Sequence, residues 1–416
     1  MAGMRVAAIH VAIPALDEGE SLPACLESLA AQSVPPSAVW VCVNQPDAWW
    51  ADDGKRPICE RNLACLAYLR DEHADRVRVI DRASEGRGWQ GRQQGVGWAR
   101  KVLLEAISAT ADDADVVVWA DADARYPAGY LAQVRDLFAT VDAAGLLAPY
   151  RHTLSGDDAL DRAILRYEIY LRYYALNLWR TGTPFAFTAI GSVIAHPVSS
   201  HRKLGGLTPH AGGEDFYFAQ KLAKYGRLAQ WVDAEVLLAA RYSERVPLGT
   251  GPALRRGMRG DWSRYPLYES RLFDDVAATR ALFAELHAHD VETPLSAFLR
   301  EQLRESDLWG PLRRNHPHRG RFLRACDERV DGLRILQYLH RAGRDGAGRD
   351  EDRLRDYVRR HHASAADLPA CLSTDRPWTF EALPLAELDA IREFLREREN
   401  ACRRQHDRSL HPRGAP

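Results

Sequence analysis

The sequence predicts an α/β protein: a mostly parallel sheet flanked by helices, followed by a helical C-terminal region. Three observations lead there. β-rich runs alternate with helical apolar spacing up to about residue 240, the apolar run Val116 to Ala120 ends in Asp121-Ala122-Asp123, and helical patterns dominate beyond residue 270. Strands separated by helices are βαβ units, and right-handed crossovers place the strand C-termini on one rim. Open sheets bind their ligands at that rim.

Taken in order, Val6 to Ile13 is the first strand, closed by Pro14, and Gly19 to Gln32 is helical with Leu22, Cys25, Leu26 and Leu29 on one face. Val39 to Val43 is a second buried strand that runs into Asn44-Gln45-Pro46-Asp47. A helix around Ile58 to Leu69, a strand Val77 to Ile80 and a helix from about Gln93 to Ala109 lead to the Val116 strand. Pro127 opens a helix with the core face Leu131, Val134, Leu137, Phe138 and Val141. Gly145 to Pro149 is a short strand, and Asp157 to Trp179 a long helix rich in Tyr. Its aromatic face suits internal packing, and it also suits acceptor binding or peripheral membrane contact. Glu214-Asp215 opens a helix behind Gly205-Gly206 and Gly212-Gly213. Beyond residue 270 the helical patterns are Leu272 to Leu286, Pro294 to Leu308, Phe322 to His340, Asp352 to His361 and Leu385 to Arg398. Gly343 to Asp350 reads as a flexible connection and Gln405 to Pro416 as a frayed tail.

Composition narrows the classes. A chain of 416 residues with 46% hydrophobic and 27% charged residues is ordinary globular material. A net charge of −1 supplies no field that would draw nucleic acid, so no nucleic-acid partner is expected. Seven Cys without a Cys-x-x-Cys pair fit reduced, buried thiols rather than a disulfide framework or zinc site. The apolar N-terminus is interrupted by Arg5, His10 and Pro14 and followed by Asp17, Glu18 and Glu20, so a strand rather than a leader is expected there. No stretch reaches the roughly 20 apolar residues of a membrane span. A cytoplasmic protein is expected.

Two carboxylates at i, i+2 beyond a buried strand can hold a hard divalent cation against phosphate, although a solvated turn explains the triplet taken alone. Acids at a helix start likewise complement the helix dipole, which is the bland account of Glu214-Asp215. Ile13-Pro14-Ala15-Leu16-Asp17-Glu18 with Leu22 and Leu26-Glu27-Ser28-Leu29, then Asp121-Ala122-Asp123, then Gly213-Glu214-Asp215-Phe216, together resemble the landmarks of family 2 glycosyltransferases. Order and spacing agree over roughly the first 240 residues. Asp17 stands for that family's usual Asn and Asn44 for its usual base-contacting Asp, which leaves UDP-sugar against GDP-sugar open.

The resemblance implies a GT-A fold and inverting transfer of a hexosyl group from a nucleotide-diphosphate sugar to an acceptor hydroxyl. It implies Mg²⁺ or Mn²⁺ at Asp121 and Asp123, with Asp215 as catalytic base and Glu214 beside it on the acceptor. Donor contacts are expected from Pro14, Ala15, Leu16, Glu18, Asn44, Arg92, Gly95 and Asp121. Ile190 to Ile194 resembles that family's small-residue strand beneath the sugar and acceptor, so Gly191 and Ser192 are expected on the acceptor side, as are Arg255, Arg256 and Trp262, whose segment resembles the Gln/Arg-x-x-Arg-Trp of processive members. Residues 1–245 form the expected catalytic domain. Residues 246–416 form an Arg-rich loop and helical region serving as acceptor side, lid or oligomerisation surface.

Rival readings attach to particular residues. Gly86-Arg87-Gly88-Trp89-Gln90-Gly91 matches the dinucleotide fingerprint of an NAD(P)-dependent dehydrogenase, but it starts too far beyond its strand and is bulky, so a mobile loop carrying Arg87 and Arg92 to the donor phosphates is expected. A nucleotidylyltransferase would show a Gly-rich basic signature after the first strand, which Pro14 to Glu18 lacks. A non-catalytic nucleotide-sugar-binding protein would keep the same pocket. His287, His289, His316, His318, His361 and His362 are candidate further metal ligands with ordinary packing roles as the alternative.

Overall fold

The expected alternation of strand and helix opens the chain: β1 (Ile9–Ala15), α1 (Leu22–Ala30), β2 (Ala38–Asn44), α2 (Arg56–Glu72), β3 (Val77–Arg82), α3 (Val96–Thr110) and β4 (Val116–Trp119). The computed structural model describes residues 7–210, 212–242, 249–344, 348–374 and 376–410. Then come β5 (Ala124–Arg125), α4 (Tyr130–Thr140), β6 (Gly145–Leu147), β7 (Tyr150–Thr153), α5 (Asp158–Thr181), β8 (Ile194–Pro197), α6 (Val198–Lys203), α7 (Glu214–Tyr225), β9 (Leu228–Ala229), β10 (Val236–Ala239) and α8 (Thr250–Gly257). The chain divides into two units: residues 1–164, 189–260 and 403–416, and residues 165–188 and 261–402.

The first unit holds a seven-stranded sheet of order β3-β2-β1-β4-β8-β6-β9. The four strands β3, β2, β1 and β4 pair in parallel, and β8 is antiparallel to both β4 and β6. Strands β1, β2 and β4 are buried at every position, as expected of parallel strands covered on both faces. A second sheet of order β5-β10-β7 was not legible in the sequence, because its strands are two to four residues long. It matters for the site: β10 runs antiparallel to β5, with Leu238 opposite Ala124, directly after Asp121-Ala122-Asp123.

The frayed tail expected from Gln405 is corrected up to residue 410. A helix continues through Arg408 because its last turns close the β6–β9 edge of the sheet. Arg403 Nη1 donates to the Leu147 and Gln230 carbonyls, and Asp407 accepts from the backbone N–H groups of Gln230 and Trp231. Residues 411–416 lie outside the described residues.

The second unit is helical. Its elements are the part of α5 from Leu165, α9 (Ser270–Ala281), α10 (Phe283–Leu286), α11 (Ser296–Leu303), α12 (Gly310–Asn315), α13 (Arg319–Arg329), α14 (Gly332–Ala342), α15 (Asp350–His362), α16 (Ala370–Ser373) and α17 (Leu385–Arg408) up to Cys402. The single helix expected over Phe322 to His340 is two, because Asp331 takes extended backbone and caps α14 through the Arg334 N–H. The tyrosine face of α5 is core. Tyr173 is fully buried against Tyr357, and Tyr167 and Tyr170 pack on Tyr265, which withdraws the membrane-skimming reading. Among the described residues no helix is long and apolar enough to cross a membrane. All seven Cys are free thiols.

Candidate active site

One arginine organises the rim. The buried stripe of α3 reads Gly97, Arg100, Leu103, Leu104 and Ile107, so a guanidinium occupies a core position and must find acid partners. Arg100 Nη2 donates to Asp121 Oδ1 at 2.5 Å, and Nε donates to Glu214 Oε1 at 3.0 Å. Asp121 Oδ2 in turn accepts from the Ser192 hydroxyl at 2.5 Å. Gly191 makes this arrangement fit, since a Cβ there would stand 2.2 Å from Arg100 Nη2. That approach also explains a difference from the sequence expectation: Gly191–Val193 is a tight 3₁₀ turn beside the guanidinium, and the strand starts only at Ile194. The end of β4 is fixed to α7 by Trp119 stacked on Phe218 at 5.0 Å, with Arg100 over the same indole.

Burial opposes the Arg100 charge, yet the charges of Asp121, Glu214 and Asp215 more than compensate and raise its pKa. The two acids at the α7 start move the other way. Burial raises the Glu214 carboxyl, with Arg100 opposing. Asp215 is pushed up to about 7, first by burial and then by the Glu214 charge, against the pull of Arg100. A carboxyl titrating near neutrality can take a proton at physiological pH and release it again, which suits a general base.

Asp123 has a different cation. Arg241, just beyond β10, donates through Nε to Asp123 Oδ2 and through Nη2 to Glu18 Oε1 at 2.5 Å. Burial disfavours its charge, but Asp123 and Glu18 prevail and raise its pKa. The donor set fits a hard divalent cation: carboxylate oxygens, with a guanidinium already standing as a cation between Glu18 and Asp123. Among the described residues no group of three or more His, Cys, Asp or Glu could hold a metal ion by itself, so phosphate and water oxygens would have to complete the shell.

At the far end of the rim Asn44 is engaged within the protein. Its Nδ2 donates to the Ala15 and Cys42 carbonyls, and its Oδ1 accepts from Trp89 Nε1 at 3.0 Å. Pro14 and Ala15 lie in register with Cys42 and Val43 in the sheet, and Leu16 is half-buried. Asp17 holds φ 58°, with its N–H on Asn62 Oδ1 and its carboxylate on Arg61 through two bonds of 2.6 and 2.8 Å. Such a left-handed non-Gly residue persists only where its neighbours fix it.

The Gly86–Gly91 loop is fastened rather than mobile. Asp47 accepts from the N–H groups of Gly86 and Gly88 and from Gln90 Nε2, and a Cβ at Gly88 would lie 2.6 Å from the Asp47 Cα. Gly88 serves this packing, whereas Gly86 and Gly91 hold φ 78° and 57° with open space around them. Arg87 faces Asp81, Arg92 is exposed, and Gly95 is the N-cap of α3.

Other expected groups lie elsewhere. Arg255 and Arg256 are half-buried in the last turn of α8, and residues 243–248 of the same Arg-rich segment lie outside the described residues. Trp262 belongs to the second unit and lies over Arg166. The six candidate His are in that unit too, where His287 meets the Pro317 carbonyl, His289 meets Glu285, and His362 meets the Tyr357 hydroxyl. Sequence reasoning missed Arg100 and Arg241 as partners of the aspartates. A charge on the apolar stripe of α3 is the signal that could have found Arg100; Arg241 needed the register of β10.

No protein-family model matches the sequence, and no curated protein does. Among solved structures the chain is similar to S. aureus TarS 1-349 in complex with UDP-GlcNAc, at 14% identity and a TM-score of 0.39 over 97% of this chain and 91% of that one. It is similar to the mannosyltransferase PcManGT from Pyrobaculum calidifontis in complex with GDP-Man and Mn²⁺, at 18% identity and a TM-score of 0.36 over 79% and 88%. It is also similar to GalNAc-T7 with UDP, GalNAc and Mn²⁺, at 15% identity and a TM-score of 0.37 over 72% and 55%.

Proposed function

We propose that the chain is a metal-dependent, inverting glycosyltransferase that moves a hexosyl group from a nucleotide-diphosphate sugar to an acceptor hydroxyl. The observation that carries the reading is the Arg100 cluster. It joins Asp121 at the end of β4 to Glu214 at the start of α7, so that the pair expected on the donor and the pair expected on the acceptor share one guanidinium.

Asp121 and Asp123 would hold Mg²⁺ or Mn²⁺ against the donor diphosphate. Such a cation supplies Lewis-acid stabilisation of the charge that develops on the departing phosphate. The half-buried Asp215 carboxylate accepts the acceptor's hydroxyl proton as that oxygen bonds to the anomeric carbon and the bond from that carbon to the diphosphate breaks. A single displacement of this kind inverts the configuration. Glu214, held by Arg100, fixes the α7 start and with it the direction of Asp215. Ser192 keeps Asp121 turned toward the rim.

The test is transfer and donor hydrolysis with Mn²⁺ across a panel of UDP- and GDP-sugars, with Asp215→Asn as the partner measurement. Donor binding with neither transfer nor hydrolysis for any donor would instead select a nucleotide-sugar-binding protein.

A further inference from the structure

Arg241 stands where the proposed cation has to bind. Its position is built by the sheet: β10 runs antiparallel to β5 with Leu237 opposite Arg125 and Leu238 opposite Ala124, so continuing the chain past Ala239 leads back along the Asp121 to Asp123 loop. The guanidinium lies between two carboxylates whose side chains are only 19% (Asp123) and 10% (Glu18) exposed, and its own is 30% exposed. A cation so placed pairs with both acids, offsets one of their two negative charges and keeps an open side toward solvent.

We infer that Arg241 is a resident counter-ion that couples two binding events. A divalent cation takes Asp123 only as the guanidinium leaves it, and the nucleoside diphosphate is what receives the freed guanidinium. This rests on the proposed glycosyl-transfer site and adds a coupling that the site residues alone do not require.

The physical reasons are charge and geometry. Glu18, Asp121, Asp123, Glu214 and Asp215 outnumber Arg100 and Arg241, so a diphosphate arriving alone meets net repulsion. A metal arriving alone must displace the guanidinium from Asp123 and leave it to Glu18, which forfeits one charge-assisted pair in a partly buried site. Arriving together, the metal takes Asp123 and the diphosphate offers Arg241 two oxygens of one phosphate, which the planar guanidinium fork holds bidentately. Each ligand therefore raises the affinity of the other by the same factor.

The experiment is calorimetric titration of the full chain with Mn²⁺ alone, and with UDP and GDP in the absence and presence of Mn²⁺. In the wild type the better nucleotide is expected to bind at least about tenfold tighter with Mn²⁺ present. Arg241→Gln is expected to bind Mn²⁺ alone about tenfold tighter than wild type, to bind the nucleotide more weakly, and to lose most of the coupling. Arg241→Lys, which keeps the charge but loses the fork, should fall between the two and carries the test if the Gln variant does not fold. Mn²⁺ affinity that is unchanged or weaker in both variants overturns the inference and leaves the glycosyl-transfer reading standing. Wild type that binds neither Mn²⁺ nor nucleotide overturns both.

Discussion

Arg100 and Arg172 are the same device in two settings. Each is a buried arginine on a helix with two carboxylate partners: Asp121 and Glu214 for Arg100, Glu168 and Glu399 for Arg172. The partners differ in what they face. Glu168 and Glu399 are sealed at 0% and 1% side-chain exposure, whereas Asp121 keeps 35%. The difference comes from backbone address. Glu168, Arg172 and Glu399 sit inside α5 and α17, where side chains meet other side chains. Asp121 sits just beyond a strand end, where the backbone turns and leaves space for a ligand, and Arg100 ties it to the buried Glu214 at the start of α7. A buried ion pair is thus architecture in one unit and part of the proposed active rim in the other, with no difference in its own chemistry.

The largest expected effect lies on the rim. Asp215→Asn should fold and keep donor affinity yet lose about 10³-fold in transfer, because an amide cannot take the acceptor proton. Near-normal turnover by that variant would move the base elsewhere and detach the α7 start from the chemistry. The sealed pair gives the converse result. Arg172→Ala removes the guanidinium shared by Glu168 and Glu399, leaves Glu168 the longer contact to Arg392 at 3.8 Å, and should cost about 3–5 kcal/mol in denaturant unfolding. A loss under about 1 kcal/mol would mean that those acids reach water or another cation, and the contrast with Arg100 would fail.

A smaller effect is expected at Asp123. Asp123→Ala should abolish the gain in nucleotide-sugar affinity that Mn²⁺ brings while leaving the melting temperature within a few degrees of wild type, because the carboxylate is held by one arginine at the rim and not by the core. Calorimetry showing the same Mn²⁺-dependent gain in the variant would remove Asp123 from the metal site.

How much of this was legible follows from the same contrast. The strands β1, β2 and β4 and the positions of Asp121, Asp123, Glu214 and Asp215 could be read because buried strands are long apolar runs and their ends are local. The partners could not. Arg100 lies 21 residues from Asp121 and 114 from Glu214, and Arg241 lies 118 from Asp123, so their pairing depends on the tertiary fold. Asn44 shows the opposite failure. Its place at the rim was right, but Trp89 and the Ala15 carbonyl occupy its amide, which only the packed Gly86 loop reveals. The tail was misread because Arg403 and Asp407 look like solvated charges until the carbonyls and N–H groups of the sheet edge are seen to need them.

A pH dependence with opposite signs for stability and turnover is also expected. Asp215 is raised from the ordinary 3.8 to about 7, by burial first and the Glu214 charge second. Between those values the folded chain holds a proton that the unfolded chain has released, so the folded state binds more protons and stability falls as pH rises across the window. Below pH 4 both states are protonated and the penalty vanishes; above 7 it is complete. Asp215→Asn cannot ionise, so its melting temperature relative to wild type should rise from pH 4 to pH 8 and level off there. Transfer by the wild type should climb over the upper part of the same window, because the base must be ionised to accept a proton. A melting difference flat in pH would show that Asp215 is already ionised near pH 4, too weak a base to be set apart from the sealed carboxylates by anything except exposure.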